Sequence, residues 1–279
     1  MLELRARKGI MNTLRRGSAT AGMLLAAVFT FAPAPLLAAD AVTWQQKEDF
    51  LTKAKIVQTK EARKGVTGTS RVTLSDGNLK HDASVQTIDE SKQFFLGEIG
   101  FKDTYKFNIA AWKVARLIGL DDMVPPSVRR TFEGKAASYT WWVDDVMMDE
   151  TERRSKNLQA PDQTTWQNEN NIMQIFDQLI YNVDRNQTNI LIDKNWHLWL
   201  IDHGRSFRTK KELKDPSVMK GIDRNMLAKM KLLDEPTLTK EFGRDVTKPE
   251  IEGLLARRDL IVKFFEAKEP SVLFDRAAR

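Results

Sequence analysis

One segment in the second half of the chain constrains the fold more than any other. It reads Leu-Ile-Tyr-Asn-Val-Asp-Arg-Asn-Gln-Thr-Asn over residues 179–189 and ends with Leu-Trp-Leu-Ile-Asp-His-Gly-Arg-Ser-Phe over residues 198–207. Between Asn189 and Asp202, two short apolar runs flank the polar turn 193–195. Apolar runs separated by a short polar turn predict a β-hairpin, whose two ends meet in space. We therefore expect Asn189 and Asp202 to be neighbours.

The polar residues around this hairpin match the requirements of phosphoryl transfer. That reaction depends on positioning and charge neutralisation more than on covalent chemistry. Asp184 is the candidate carboxylate beside an acceptor hydroxyl. The interval from Asp184 to Asn189 equals the one in the His-Arg-Asp-x-x-x-x-Asn loop of kinases. Asn189 and Asp202 are the candidate metal ligands, because Mg²⁺ prefers hard oxygen ligands.

These motifs resemble those of atypical kinases. An Asp-Arg-x-x-x-x-Asn loop with a later Asp-x-Gly resembles the phosphatidylinositol 3-/4-kinase group. The stretches 182–185 (Asn-Val-Asp-Arg) and 202–207 (Asp-His-Gly-Arg-Ser-Phe) are similar to the Golgi secretory-pathway kinases. The resemblance is strong over residues 176–208 and diffuse over residues 50–175. It implies an α+β, two-lobed protein-kinase-like fold with a small β-rich N-lobe, one long N-lobe helix and a mostly helical C-lobe. It also implies ATP with Mg²⁺ or Mn²⁺ as cofactors.

Hydrophobic periodicity and turn residues predict the elements around this segment. Helices are predicted over residues 42–53, 103–120, 166–183, 215–233 and 248–267. Strands are predicted over residues 54–58, 71–74, 83–88, 127–132 and 137–143. Asp103 is the expected cap of the second helix, and Gly119 is its expected end. On the kinase analogy, residues 40–145 form the N-lobe, residues 146–279 form the C-lobe, and residues 143–149 are the hinge that would face adenine.

Gly65 and Gly68 lie in a polar stretch before the second predicted strand. In a kinase N-lobe this stretch would be the loop that covers the phosphates. Glycines suit such a loop, because they let the backbone approach a phosphate closely and expose its N–H donors. An ordinary flexible hairpin is an equally good interpretation of a Gly-x-x-Gly sequence.

The chain departs from the kinase pattern at two positions. A strand lysine normally holds the nucleotide phosphates and a helix glutamate orients it, but Gln86 and Asn108 occupy the corresponding positions here. Lys80 or Lys92 is an alternative lysine near the ends of the strand, and Glu98 is an alternative glutamate. A Gln86–Asn108 hydrogen bond would replace the ion pair structurally but would not replace its charge. We therefore expect altered nucleotide binding, with a pseudokinase as the alternative.

Residues 1–39 differ from the rest of the chain. Five basic residues precede an apolar run over residues 22–31, and small residues follow it. This pattern predicts a secretory signal peptide that is cleaved after Ala39, or alternatively after Ala41. An uncleaved membrane anchor is the other alternative, but the run is short and prolines follow it. We expect an exported protein, periplasmic or secreted, that touches a membrane only through an uncleaved leader.

The net charge of +6 does not indicate nucleic-acid binding. The expected leader holds five of the 44 basic residues and one of the 38 acidic residues, which leaves 39 basic and 37 acidic residues in the mature chain. The absence of cysteine excludes disulfides and thiolate metal sites. It also favours a bacterial protein over the disulfide-rich animal secretory kinases. The three histidines show no metal-ligand spacing.

The leading hypothesis is an exported Mg²⁺/ATP-dependent phosphotransferase that acts on a hydroxyl. Its acceptor class stays open between protein, sugar and lipid headgroup, and transfer of AMP to a protein is an alternative to transfer of phosphate. A second hypothesis is a catalytically inactive, pseudokinase-type nucleotide-binding or interaction module in the cell envelope. A third is a structural envelope protein in which Asp184, Asn189 and Asp202 form only a buried polar network.

Overall fold

A computed structural model of the chain describes residues 42–60, 69–95 and 98–276, without the side chains of residues 98 and 99. The expected leader, residues 1–39, lies outside the described residues. The described residues contain seven α-helices, none of which is both long and apolar enough to cross a membrane. They are α1 (Trp44–Lys53), α2 (Tyr105–Ile118), α3 (Glu150–Ser155), α4 (Gln163–Ile180), α5 (Arg224–Lys231), α6 (Glu235–Phe242) and α7 (Lys248–Glu266).

Twelve strands lie in the same residues. They are β1 (Lys55–Lys60), β2 (Thr69–Ser75), β3 (Lys80–Gln86), β4 (Asp89–Phe95), β5 (Glu98–Thr104), β6 (Ser127–Phe132), β7 (Lys135–Trp141), β8 (Val146–Asp149), β9 (Ile190–Asp193), β10 (Leu198–Leu200), β11 (Ile222–Asp223) and β12 (Leu273–Phe274). An antiparallel sheet has the order β1-β2-β3-β7-β6, and a smaller one has the order β10-β9-β8. Strands β4 and β5 form a separate hairpin, and β11 pairs with β12.

The two-lobed α+β fold expected from the sequence, with a β-rich first lobe and a mostly helical second lobe, is confirmed. The five-stranded sheet and α1 make up the sheet lobe. Helices α3 to α7 with β8, β9 and β10 make up the helical lobe. The chain passes from one lobe to the other between β7 and β8, at residues 142–145. The predicted hairpin after Asn189 is also confirmed, since β9 and β10 pair antiparallel with Leu200 opposite Ile190.

Helix α2 connects the β4–β5 hairpin to the edge of the sheet. Its apolar residues recur at helical spacing, and it ends at Gly119, which takes the left-handed φ of 78° that favours glycine. The predicted cap is wrong, because the side chain of Thr104, not Asp103, accepts a hydrogen bond from the Lys106 N–H. Asp103 belongs to β5 instead and is free to take part in other contacts.

Several elements differ from the sequence-based expectation. The β4–β5 hairpin, α3 and α6 were not predicted. The single helix predicted over residues 215–233 is wrong, because β11 interrupts it and Asp223 starts α5 anew by capping the Met226 N–H. At the break, β11 pairs with β12, and the chain packs closely there, since a Cβ at Gly221 would lie 3.0 Å from the Val272 carbonyl oxygen. Contacts between distant segments therefore overrode the local helical periodicity.

The two lobes have separate hydrophobic cores. The small core of the sheet lobe contains Leu51, Leu74 and Tyr139. The larger core combines α4 to α7, the β9–β10 hairpin and most of α2. Ala111, Trp112 and Ala115 of α2 are 0% exposed within the larger core. Helix α2 thus precedes the last two strands of the sheet and contacts them, but its buried side chains belong to the larger core.

Candidate active site

The loop after α4 presents Asp184 on a rigid support. Helix α4 ends at Tyr181, which takes a left-handed φ of 52° and turns the chain. Asn182 is completely buried, and its Oδ1 accepts a hydrogen bond from the Asp184 N–H at 2.9 Å. The side chain of Asp184 stays 41% exposed and lies 3.4 Å from Arg205 Nη1. The carboxylate predicted to position an acceptor is therefore accessible, while its backbone is fixed.

Arg185 braces this loop. Its Nε and Nη2 donate to the two carboxylate oxygens of Asp177 at 2.9 and 3.0 Å. Its Nη1 donates to the carbonyl oxygens of Asn189 and Ile201, at 3.0 and 2.8 Å. The bidentate pair with Asp177 is almost fully buried. Through these four hydrogen bonds, one guanidinium joins helix α4 to both ends of the hairpin.

The hairpin brings Asn189 and Asp202 to the same cavity. The Ile201 N–H donates to the Asn189 carbonyl oxygen at 3.1 Å, next to the last ladder pair of the hairpin. Asn189 Nδ2 donates to the Asp184 carbonyl oxygen at 3.3 Å, which leaves its Oδ1 as the atom for a ligand. Asn189 and Asp202 both line a cavity of about 270 Å³. The expected juxtaposition of the two residues is present.

Gln86 and Asn108 meet beside Asp202. Asn108 Nδ2 donates to Gln86 Oε1 at 2.5 Å, and Gln86 Nε2 donates to Asp202 Oδ1 at 3.3 Å. Asn108 Oδ1 accepts the His203 N–H at 2.7 Å. The hydrogen bond anticipated between the two amides is present, and it extends to the Asp-His-Gly segment at both ends. Gln86 and Asn108 both line the cavity.

Asp202 and His203 have unusual local environments. Asp202 takes a left-handed φ of 55°, a conformation that non-glycine residues seldom adopt. The imidazole of His203 is fully buried against Phe176, with ring centroids 5.7 Å apart. Burial, and next the positive charge of Arg185, hold the pKa of His203 well below its usual value. His203 is therefore neutral and serves as core packing, which leaves Asp202 as the ligand candidate of this segment.

Asp103 is a site residue that the sequence reading assigned to a helix cap. A Cβ at Gly204 would lie 2.6 Å from Asp103 Oδ1 and 3.6 Å from Asp202 Oδ1, so Gly204 leaves space for two carboxylates to approach. Partial burial, and next the charges of Asp202 and Asp184, raise the pKa of Asp103, while Arg205 opposes them. No local pattern distinguishes a capping aspartate from this one, and only the path of β5 reveals its place.

The cavity lies between the five-stranded sheet and the β9–β10 hairpin. Its sheet wall includes Ser84 and Thr140, and Leu191 and Ile201 form part of the opposite wall. The inter-lobe segment adds Trp142, Val143 and Val146. The predicted hinge, residues 143–149, thus contributes to the cavity. The Arg71 guanidinium lies over the Trp142 ring at 3.9 Å and stiffens that side.

The remaining predicted site residues do not join this group. Gly65 and Gly68 lie outside the described residues. Lys80 is exposed at the start of β3, and Lys92 pairs with Glu90 at 2.8 Å, so neither lines the cavity. The side chain of Glu98 also lies outside the described part of the chain. Among the described cavity-lining residues there is thus no lysine at the position of the kinase phosphate ligand.

The donor set fits Mg²⁺ better than a metal held by protein alone. In the described residues, no group of three or more histidine, cysteine, aspartate or glutamate side chains could hold a metal ion. Mg²⁺ is usually bound by one or two carboxylates together with substrate phosphates. One carboxylate from Asp202 and one amide oxygen from Asn189, both at the same cavity, match this arrangement.

Comparison with known proteins gives a fold-level likeness. No protein-family model matches the chain, and no curated protein matches it. A similar solved structure is the crystal structure of the Helicobacter pylori proinflammatory kinase CtkA. It is 11% identical, has a TM-score of 0.48, and the alignment covers 78% of this chain and 99% of that one.

Proposed function

We propose that this chain is a kinase-like phosphotransferase that transfers a phosphoryl group from ATP, with Mg²⁺ or Mn²⁺, to a hydroxyl acceptor. The observation that carries the proposal is the convergence of Asn189 and Asp202 at one cavity, with Asp184 hydrogen-bonded to Asn189. These positions were selected from sequence on chemical grounds. The hairpin that joins them has the expected geometry.

The cavity suits the base of the nucleotide. Its volume of about 270 Å³ lies near the lower end of the range for small-molecule sites, which is about 300–1,000 Å³. Leu191, Ile201 and Val146 offer apolar surface to a flat ring, and Trp142 lies at the same cavity. With the base there, the phosphates would extend toward Asn189 and Asp202, where negative charge needs neutralisation.

Each polar residue then has a defined task. Asn189 Oδ1 and the Asp202 carboxylate would hold the metal ion, which would supply neutralisation of phosphate charge. Asp184 would accept the proton of the acceptor hydroxyl. The hydroxyl oxygen forms a bond to the γ-phosphorus, the bond from phosphorus to the β–γ bridging oxygen breaks, and ADP leaves with that electron pair. Arg205, 3.4 Å from Asp184, would orient this carboxylate until the acceptor arrives.

A second candidate function is favoured by the neutral Gln86–Asn108 pair. A kinase of the common type holds the nucleotide with a lysine–glutamate ion pair, whereas this site has two uncharged amides at those positions. The rival is a nucleotide-binding module without turnover. Metal-dependent nucleotide binding in the absence of any product would distinguish it from an enzyme.

The deciding experiment measures ATP turnover by the chain from Asp40 onward, the proposed mature form, with Mg²⁺ or Mn²⁺. Product analysis separates phosphate transfer from AMP transfer. Asp184→Ala and Asp202→Ala should each lower kcat by at least about 100-fold, because each removes a group that acts on the reacting phosphate. Asp259→Ala is the matched control, since Asp259 is exposed and pairs with its neighbour Arg258 away from the cavity.

Three results are possible, and each decides a different point. Turnover that both site variants lose would establish the enzyme. Binding of nucleotide with metal, but no turnover, would establish the inactive module if Asp202→Ala removes the binding. A wild-type chain whose melting temperature responds to neither ATP nor divalent metal would reject both and leave a structural protein. Export is tested separately by N-terminal sequencing of the protein secreted or released from the periplasm.

A further inference from the structure

The buried amides of Gln86 and Asn108 occupy the place where kinases hold a phosphate-binding ion pair. Gln86 is 7% exposed and Asn108 is 8% exposed. We propose that this pair positions the metal-binding carboxylate of Asp202 and does not grip the nucleotide phosphates. The inference rests on the proposed function, because it assigns a role within the same site.

The hydrogen bonds form a closed loop through Asp202 and its neighbour. Gln86 Nε2 donates to Asp202 Oδ1, Gln86 Oε1 accepts from Asn108 Nδ2, and Asn108 Oδ1 accepts the His203 N–H. Both amide oxygens are therefore in use. The loop fixes the side chain of Asp202 at one end and the backbone of the next residue at the other end. The contacts converge on the metal ligand itself.

Asp202 needs such support for two reasons. Its left-handed φ of 55° is strained for a residue with a Cβ, so surrounding contacts must hold the conformation. The carboxylate of Asp103 also approaches the same space at Gly204, and like charges repel. A hydrogen bond from Gln86 to Asp202 Oδ1 opposes that repulsion by stabilising the negative charge of Asp202.

An amide suits this task better than a lysine would. A lysine at position 86 would form an ion pair with Asp202 and compete with the metal for its charge. The neutral Gln86 Nε2 orients the carboxylate and leaves its full charge available. Partners of this kind are known to tune metal sites, and their loss typically costs about 10- to 100-fold in metal affinity or activity.

Asn108 is held firmly enough to act as the fixed end of the loop. It lies on α2, whose residues Ala111, Trp112 and Ala115 are packed at 0% exposure in the large core. Arg116 of the same helix pairs with Glu241 of α6 at 2.6 Å. Because α2 is buried in the same core as α4 and the β9–β10 hairpin, this packing fixes the position of Asn108 relative to the Asp202 segment.

The test compares metal binding with nucleotide binding in the full mature chain. Mn²⁺ affinity is measured by electron paramagnetic resonance with a saturating non-hydrolysable ATP analogue, and nucleotide affinity is measured by calorimetry in EDTA. The variants are Gln86→Met and Asn108→Leu, which keep the size but remove the hydrogen bonds, and the double variant. Gln178→Met is the matched control, because Gln178 is 2% exposed and bonds to the Asp215 N–H outside the site.

We expect Gln86→Met and Asn108→Leu each to weaken Mn²⁺ binding by about 10- to 100-fold. Affinity for metal-free nucleotide should stay within about twofold, since neither amide grips the phosphates in this proposal. The double variant should lose no more Mn²⁺ affinity than the single variant with the larger loss, because both substitutions act on one carboxylate. Gln86→Lys, which keeps a donor at that position, should also weaken Mn²⁺ binding by neutralising Asp202.

Unchanged Mn²⁺ affinity in Gln86→Met, with weaker metal-free nucleotide binding, would overturn the inference and make Gln86 a phosphate contact. An equal loss of Mn²⁺ affinity in Gln178→Met would overturn it too, because the effect would then be general destabilisation. A separate result tests the proposed function. If the wild type turns over ATP and Asp202→Ala loses that turnover, the proposed function stands whatever Gln86 does. If the wild type binds neither, both proposals fall.

Discussion

The two lobes of this molecule are stabilised differently. The sheet lobe has a small apolar core, and a cluster of charged side chains stabilises one face of its sheet. There Asp82 accepts hydrogen bonds from Lys60, Arg71 and Thr73. The helical lobe relies on one large apolar core that also includes α2. The difference indicates that Asp184, Asn189, Asp202 and Asn108 are placed by a single core, and that Gln86 comes from a separate unit with a smaller core.

The largest effect on stability is expected when apolar volume is removed from each core. Ile118 of α2 and Leu74 of β2 are both 0% exposed. Ile118→Ala should lower the free energy of unfolding by about 2–5 kcal/mol. We expect the loss of protection to include α4 and the β9–β10 hairpin, because they share one core with α2. Leu74→Ala should loosen the sheet and leave those elements protected. Hydrogen exchange followed by mass spectrometry reads both effects.

Loss of protection in the sheet but not in α4 after Ile118→Ala would show that α2 belongs energetically to the sheet lobe. That result would contradict the claim that the larger core fixes the position of Asn108. The proposed role of the Gln86–Asn108 pair depends on this claim. Ile118→Val is a useful milder variant, since it should cost only about 0.5–1.5 kcal/mol and so preserves the fold for measurement.

An intermediate effect is expected from acid, and it should act on the sheet lobe. Burial opposes ionisation of Asp82, but hydrogen bonds from Lys60, Thr73 and Arg71 outweigh it and lower the pKa of this carboxyl to about 2. A lowered folded pKa stabilises the protein above the unfolded value, near 3.8, and this stability is lost as pH falls toward about 2. The stabilisation that ionised Asp82 contributes to the sheet lobe should therefore be lost between about pH 4 and pH 2.

Asp82→Asn removes this titration. The variant should be less stable than the wild type at pH 7, and the difference between the two should shrink as pH falls from about 4 to 2. Urea unfolding at a series of pH values provides the measurement. A difference that stays constant down to pH 2 would mean that the ion pairs of Asp82 contribute nothing to folding, and that the small apolar core alone stabilises the sheet lobe.

The smallest effect should come from the ties between the lobes. Arg129 at the edge of the sheet pairs with Asp245 after α6, and the arginine side chain is 46% exposed. Because water screens such a pair, Arg129→Ala should cost only about 0.2–1 kcal/mol. A double-mutant cycle with Asp245→Ala isolates the coupling. A coupling well above that range would indicate that the lobes are clamped by charge as well as by the packing of α2.

The sequence predicted much of this architecture, and the successes share a cause. Helix α4, the β9–β10 hairpin and α7 were found because each depends on local periodicity, turn residues or caps. The failures also share a cause. The β4–β5 hairpin, the interruption of the helix predicted over residues 215–233 and the role of Asp103 depend on neighbours that are far away in the chain. A capping residue and a site residue have the same local sequence signature.

The sequence by itself determined which groups this protein can use: the Asp184 carboxylate, the Asn189 and Asp202 oxygens, and two amides in place of a lysine and a glutamate. The meeting of Asn189 and Asp202 at one cavity follows from the hairpin, so it was also implicit in the local pattern. Only the tertiary structure decided that α2 packs with the helical lobe and that Gln86 and Asn108 bond toward Asp202. The stability of each possible packing depends on the total apolar area that it buries. That total depends on segments far apart in the chain, so no short stretch of sequence determines it.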